Sequence, residues 1–208
     1  MTTRRDLLRA AAAVPLAFTP LSSADAMRAA AHALAALEGA AAGAPYAPKF
    51  FRPTEWTNLR ILVDLIIPRD QRSGSATEAG VPEFMDWTCS EYPSYAWTRE
   101  ALRWLGAFAY ETYDKSFAKC TDAQRRRLLD QIAWPKKAKP ELKEGVTHFN
   151  DLRDFTASGF WSSQMGVRDL QYLGNTAVPE WKGCPPNVLT KFGVTADVMD
   201  RRIRPAGD

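Results

Sequence analysis

Apolar residues recur at helical spacing through the middle of this chain. Between Thr54, which is expected to cap a helix, and Ile67 they form one buried stripe, and Pro68 ends the pattern. The same spacing returns from Thr98 to about Phe117 and from His148 to about Ser163. No segment alternates convincingly with a period of two, which would indicate a strand. The pattern therefore predicts an all-α fold.

Local start signals predict two further helices. Pro82 suits the first turn of a short helix that reaches Cys89, because the missing N–H of proline is not needed there. Thr121 and Gln124 have the spacing of a capping box, in which each side chain accepts a hydrogen bond from the other residue's backbone. The next helix is therefore expected over residues 122–133.

Composition shifts divide the chain into three parts. Residues 1–26 are expected to be a signal peptide, and residues 27–49, which are rich in alanine and broken by Pro45 and Pro48, a loosely docked tether. A single helical domain is expected over residues 50–208. From about residue 164 glycine and proline become frequent, which predicts a long irregular C-terminal tail.

The N-terminus has the parts of an export signal in the right order. Arg4 and Arg5 precede apolar residues, which is the twin-arginine pattern. A weakly apolar stretch follows over residues 8–18, and Ala24-Asp25-Ala26 is a small-x-small cleavage site. The alternative is an amphipathic helix that stays on the protein. The pattern favours export of the folded chain to the periplasm and leaves the cleavage point open, because alanine-rich sequence continues to Ala44.

Composition excludes some classes of function. Of the 208 residues, 46% are hydrophobic and 25% charged, as is ordinary for a globular protein. The formal net charge is +3 without a basic stripe, which argues against nucleic acid as a partner. No apolar stretch reaches the roughly 20 residues that cross a bilayer.

The three cysteines leave two alternatives open. Cys89, Cys120 and Cys184 form no CxxC pair and no haem attachment motif. An odd number in an exported protein allows one internal disulfide, of unknown pairing, with one thiol left over. Packed free cysteines are the other interpretation.

Few residues are candidates for catalysis. The sequence has no Rossmann, Walker or HExxH motif, so no metal or cofactor site is expected in this chain. A Ser–His–Asp arrangement would have to use His148, whose simpler interpretation is a histidine at a helix start. Asp151 and Asp154 share a helix face, either as an acid–base pair or as solvated surface. We therefore expect no catalytic residue, although the question of enzymatic activity stays open.

Asp64 lies within an otherwise apolar helical stretch. A carboxylate in such surroundings needs a partner or a water molecule. Arg69 or a backbone N–H of the following loop is the expected partner. Asp64 is thus predicted to organise that loop and not to react.

The residues around Asp64 open a longer motif. It continues through Pro68, a polar loop and the run Glu78-Ala79-Gly80-Val81-Pro82-x-Phe84-Met85-Asp86. Later elements are Gly159-Phe160-Trp161-Ser162-Ser163, Leu170-x-Tyr172-x-Gly174-Asn175 and Trp181-x-Gly183-Cys184-Pro185. In this order they resemble the gluconate 2-dehydrogenase subunit 3 family over roughly residues 50–187. The resemblance gives Asp64, Pro68, Gly80, Pro82, Asp86, Gly174 and Asn175 structural roles.

The resemblance implies a non-catalytic small subunit. Its partner would be a large FAD-containing dehydrogenase of the glucose–methanol–choline type, with a c-type cytochrome that often takes the electrons. The small subunit would bind, stabilise and escort the large one through the twin-arginine translocase, and the complex could attach to the inner membrane through a partner. Residues 164–172 depart from the gluconate branch, which leaves the sugar or glycoside open.

Aromatic residues near the C-terminus are the candidates for partner contact. Trp161, Tyr172 and Trp181 lie in a segment with few regular patterns, which either wraps its own helices or covers a partner. If a loop of this chain reaches a partner's active site, residues 69–80 or residues 161–172 are the candidates, from their exposure and glycine content. Two other functions stay open, a free-standing periplasmic protein that binds a sugar or metabolite, and a small hydrolase that uses His148.

Overall fold

The computed structural model describes residues 21–171, Cys184 and residues 186–193. This part of the chain contains eight α-helices and no strand, which confirms the all-α prediction. The helices are α1 (Ser23–Ala41), α2 (Pro53–Ile66), α3 (Val81–Glu91), α4 (Trp97–Tyr113), α5 (Asp122–Asp130), α6 (Lys143–Ser162), α7 (Gln164–Asp169) and α8 (Pro186–Lys191). Two compact units divide the chain, Met1–Tyr172 with α1–α7 and Leu173–Asp208 with α8.

The predicted helices form, with ends shifted by a few residues. The capping box is confirmed, because Thr121 N–H donates to Gln124 Oε1 at 2.9 Å and Gln124 N–H to Thr121 Oγ1 at 3.2 Å. The predicted cap at Thr54 is wrong, since α2 already begins at Pro53. The carboxylate of Glu55 instead accepts the N–H of Arg52 at 2.9 Å.

The tether predicted for residues 27–49 is wrong for the residues of helix α1. Ala29 and Ala33 are buried on one face of this helix, which packs against α3 and α6. Alanine has the highest helix propensity, and its short side chain lets two helices approach closely. The composition that suggested a loose segment therefore produces a close helix contact.

Helix α3 forms the centre of the first unit, with neighbours in α1, α2 and α6. Eight of its residues are buried, including Phe84 and Met85. Phe84 packs edge-on against Phe155 of α6 at a ring distance of 6.0 Å. Burial of side chains of this size contributes about 1.5–3 kcal/mol each. This core fixes the position of both ends of α3.

Two short helices lie in the region predicted as an irregular tail. Helix α7 begins where Ser163 Oγ accepts the N–H of Gly166 at 3.0 Å. A side chain at Gly166 would collide with the carbonyl of Phe160, so the turn between α6 and α7 needs glycine. Tyr172 and Trp181 lie outside the described residues, as do Gly174 and Asn175, and the two arginines of the export motif. Among the described helices, none has the length and apolarity of a membrane span.

All three cysteines are free, so of the two alternatives the structure has free cysteines and no disulfide among them. Cys89 and Cys120 are buried, and Cys184 is partly buried. Burial raises the pKa of Cys89 to about 12, which keeps its thiol protonated at neutral pH. Cys89 and Cys120 therefore act as packed core residues.

Candidate functional site

The loop between α2 and α3 folds back onto α2. Asp64 Oδ1 accepts the backbone N–H of Thr77 at 2.7 Å, which is one of the two partners expected for it. The N–H of Ala76 donates to the carbonyl of Ile67 at 3.0 Å, just before Pro68. The C-terminal end of the loop is thereby tied to the C-terminus of α2.

Two further carboxylates fix the loop from within. Asp70 Oδ1 accepts the N–H groups of Arg72 and Ser73 at 2.8 and 2.9 Å, and these bonds lower the pKa of Asp70. Glu78 accepts the N–H of Ser75 at 2.7 Å and pairs with Arg69, which lowers its pKa as well. Both groups are therefore ionised at neutral pH, where their hydrogen bonds hold the loop.

Gly80 joins the loop to α3 and also contacts α1. Its φ of 80° lies in the left-handed region that favours glycine. A Cβ there would lie 3.1 Å from Leu37 and 3.3 Å from Ala33. Pro82 occupies the first turn of α3, as predicted. Glycine thus serves both the turn and the close approach of α1.

Asp86 is completely buried and organises the segment before α2. Its carboxylate accepts hydrogen bonds from Tyr46 Oη and from the N–H groups of Lys49, Phe50 and Phe51, at distances of 2.8–3.0 Å. Asp86 was expected only to have a structural role in the motif, and its four partners were not predicted. An aspartate within an apolar helical pattern, as at Asp64, was the available signal.

A groove of about 640 Å³ opens between α1, the loop between α2 and α3, and the junction of α6 with α7. Helix α1 lines it with apolar side chains, Ala30, Ala31, Leu34 and Leu37. Arg72 joins the other two walls, since it donates to the carbonyl of Asp169 at 2.6 Å and pairs with its carboxylate at 3.2 Å. The two candidate stretches, 69–80 and 161–172, therefore both contribute residues to one groove.

The groove wall formed by α7 carries the cationic side chain of Arg168. Arg168 is exposed and makes no ion pair with any residue that the structure describes. Of the three aromatic residues expected to contact a partner, Trp161 is the one that the structure describes. It is 40% exposed and packs edge-on against Phe160, with 4.9 Å between the ring centroids. Leu170 is 56% exposed. An apolar surface with a cation at its edge results.

The surroundings of His148 are closed. Its Nε2 is buried and lies 3.5 Å from Glu144, and the ring packs beside Trp104. The cavity there measures about 10 Å³, close to the volume that a single water needs. Asp154 pairs with Arg153. The arrangement leaves no space for a substrate beside His148.

The other carboxylate of the predicted acidic pair, Asp151, is partly buried. Burial raises the pKa of Asp151. In the described part of the chain, no group of three or more His, Cys, Asp and Glu residues is placed to hold a metal ion.

Comparison with known families gives one match. The family model described as gluconate 2-dehydrogenase subunit 3 matches residues 53–179. The match takes in helices α2–α7, the loop after α2 and Asp86, and leaves α1 outside. No curated protein and no solved structure matches the chain.

Proposed function

The chain belongs to the gluconate 2-dehydrogenase subunit 3 family, and from this premise we propose that it is the non-catalytic small subunit of an exported sugar or glycoside dehydrogenase. The family name implies a subunit of a dehydrogenase complex. Its partner in the proposal is a large FAD-containing subunit of the glucose–methanol–choline type. The large subunit holds the FAD and performs the oxidation, and a c-type cytochrome accepts the electrons.

The observation that carries the proposal is the contrast between the groove and the histidine. Two motif-bearing stretches meet at an open groove of about 640 Å³. The only histidine in the matched range lies beside a cavity of about 10 Å³. The groove is therefore open enough to receive a partner, whereas the space around His148 is too small for a catalytic cleft.

The groove suits a protein partner in its chemistry. Protein interfaces combine an apolar centre with a polar rim. The apolar face of α1, with Leu34 and Leu37, supplies the centre, and Arg168 supplies a cation for an acidic residue of the partner. Stable interfaces bury about 1,200–2,000 Å², so the contact extends beyond the groove. Trp161 and Leu170, each adjacent in sequence to a lining residue, provide exposed apolar area for this extension.

Export completes the proposal. Arg4 and Arg5 address the chain to the twin-arginine translocase, which carries folded proteins. A large subunit bound before export would cross with it and reach the periplasm, and the complex would attach to the inner membrane through a partner. In the proposal the small subunit thus stabilises the large subunit and escorts it through export.

A second candidate is a free-standing periplasmic protein that binds a sugar or metabolite. The groove volume of about 640 Å³ falls within the range of small-molecule sites, about 300–1,000 Å³. This candidate predicts that a sugar raises the melting temperature of the isolated chain. The first candidate predicts no such rise without the large subunit.

The test is a pull-down of the tagged full chain from its native host, with the bound material scanned for flavin absorbance. We expect a large flavoprotein in near one-to-one yield, and its loss from the periplasm when both Arg4 and Arg5 become Lys. A chain that purifies alone and colourless would contradict the proposal.

Two variants of helix α1 locate the contact. Ala31 is exposed and lines the groove, whereas Ala35 is exposed on the same helix outside it. Ala31→Glu should reduce the yield of the flavoprotein, and Ala35→Glu should not. Equal yields would move the interface away from the groove.

A further inference from the structure

The expected cleavage site, Ala24-Asp25-Ala26, lies in the first turn of helix α1. Ser22 caps this helix, because its Oγ accepts the N–H of Asp25 at 3.1 Å. The N–H of Ala26 donates to the carbonyl of Ser22 at 2.9 Å, which is already a helical bond. The small-x-small sequence is therefore helical and not extended.

Asp25 also ties this first turn to another part of the domain. Its Oδ1 accepts a hydrogen bond from Tyr92 Oη at 2.7 Å, and Tyr92 directly follows α3. Its Oδ2 accepts the hydroxyl of Ser22 at 2.6 Å. Arg28 lies 2.8 Å from the same carboxylate. The middle residue of the expected cleavage site thus joins α1 to the end of α3.

Packing holds the helix on both sides of the site. Leu21 packs against the hydrophobic core on the N-terminal side, and Ala29 and Ala33 are buried on the C-terminal side. Proteolysis takes place preferentially in exposed, poorly ordered segments. Cutting after Ala26 requires the first turns of α1 to open, which breaks the cap and the Tyr92 bond, and opening of this kind limits cleavage of folded proteins.

We propose that residues 21–26 stay in the mature domain, so that any removal of the leader takes place N-terminal to Leu21. The proposal rests on the export route proposed above. A peptide bond before Leu21 is hydrolysed, and water leaves a carboxylate on the leader and an amine on the domain. The mature chain keeps the Ser22 cap and the bond between Asp25 and Tyr92. It thereby keeps the anchor of the helix that lines the groove.

The first test determines the N-terminus of the exported chain. The full-length protein is expressed in its native host, recovered from the periplasm with its complex, and analysed by intact mass and N-terminal peptide mapping. We expect every N-terminus to lie at or before Leu21. A mature chain that starts at Met27 would overturn the inference.

A matched pair of variants tests whether packing protects the site. Ala33→Asp places a charge in the buried face of α1, and Ala35→Asp places the same charge on its exposed face. We expect the share of exported chain that starts at Met27 to rise in Ala33→Asp and to stay near zero in Ala35→Asp. Equal shares would contradict protection by packing. Tyr92→Phe, which removes only the bond to Asp25, gives the same readout with a smaller rise if Ala33→Asp fails to accumulate.

Hydrogen exchange separates this inference from the export proposal. If the full chain stays in the cytoplasm, the export route is wrong, but the purified chain still reports on α1. We expect the amides of residues 26–33 to be protected to a degree similar to those of α3. Exchange at the rate of an unfolded peptide would overturn the inference by itself.

Discussion

Two regions of the helical unit use polar side chains in opposite ways. Around the groove, Asp64 and Glu78 accept backbone N–H groups and so fix the loop between α2 and α3 beside an opening of about 640 Å³. Around His148, the histidine and Trp104 fill the space between α4 and α6 and leave about 10 Å³. The first region has the polar groups that build a surface, and the second has one that completes a core.

The difference shows how a rare residue can mislead. A histidine attracts attention as a catalytic candidate, yet His148 has no room for a substrate. The open apolar surface lies instead beside a loop that carboxylates hold in place. Asp64 of the motif supports that loop through its bond to Thr77, and Asp86 supports the segment before α2.

The largest effect is expected for Asp86→Ala. The change leaves the backbone N–H groups of Lys49, Phe50 and Phe51 and the hydroxyl of Tyr46 without their acceptor, and Phe51 is the buried member of this set. An unsatisfied buried group costs about 1–3 kcal/mol and a part-buried one less, so the free energy of unfolding should fall by about 3 kcal/mol. Urea unfolding measures it, with the exposed Asp154→Ala as control, expected within about 0.5 kcal/mol of the wild type. A loss below about 1 kcal/mol in Asp86→Ala would show that these bonds do not hold the segment before α2.

Gly145→Ala probes the filled region. A Cβ at this position would overlap the Trp104 ring, and overpacking of a core typically costs about 1–3 kcal/mol. Gly106→Ala on α4 is the matched control, since nothing lies within 4 Å of its Cβ position. That control should stabilise the helix by about 0.5–1 kcal/mol. Thermal unfolding measures both variants. If Gly145→Ala raised the melting temperature as Gly106→Ala is expected to, the region around His148 would be more loosely packed than described.

Reversing the charge of Arg168 at the groove should weaken the complex without unfolding the chain. Arg168→Glu is expected to lower the affinity for the large subunit about tenfold, or about 1.4 kcal/mol, by repelling an acidic partner group. Arg126→Glu, on the exposed face of α5, is the control. Binding to the purified large subunit, measured at two salt concentrations, tests this. An unchanged affinity would exclude Arg168 from the contact.

The smallest effect concerns Glu83, one turn before Asp86 on α3. Burial is the main cause that raises the pKa of Glu83 above its usual value. The folded state therefore binds this proton more tightly than the unfolded state, and the contribution of Glu83 to stability falls as pH rises above about 4.5. The free energy of unfolding of Glu83→Gln, taken relative to that of the wild type, should therefore be higher at pH 7 than at pH 4. The loss of its contact with the partly exposed Arg60 offsets little of this gain.

Urea unfolding at both pH values measures the pH dependence. The exposed Glu111→Gln should differ from the wild type by the same amount at pH 4 and pH 7. A Glu83→Gln variant that behaves like Glu111→Gln would mean that burial does not hold the proton on Glu83.

Local context predicted some features of the site and not others. The need of Asp64 for a nearby N–H followed from the apolar residues around it, and the partner, Thr77, lies only 13 residues away. The partners of Asp86 lie 35 to 40 residues before it, beyond any local signal. Helix α1 was missed because alanine has little apolar area, although its small size is what allows the buried contact.

The groove itself had no signature in the sequence. Its walls come from residues 30–37, 72–79 and 162–169, which only the folded chain brings together. Both stretches suspected of facing a partner were named from exposure and glycine content. Their shared location depends on the contact of Arg72 with Asp169, across 97 positions of the sequence.

Hydrogen exchange of the free chain and of the purified complex tests whether the large subunit binds at the groove. We expect added protection in residues 30–37, 72–79 and 162–169 when the large subunit is bound, and no change at residues 144–149. Protection confined to the region of His148, or spread elsewhere without the groove, would contradict it.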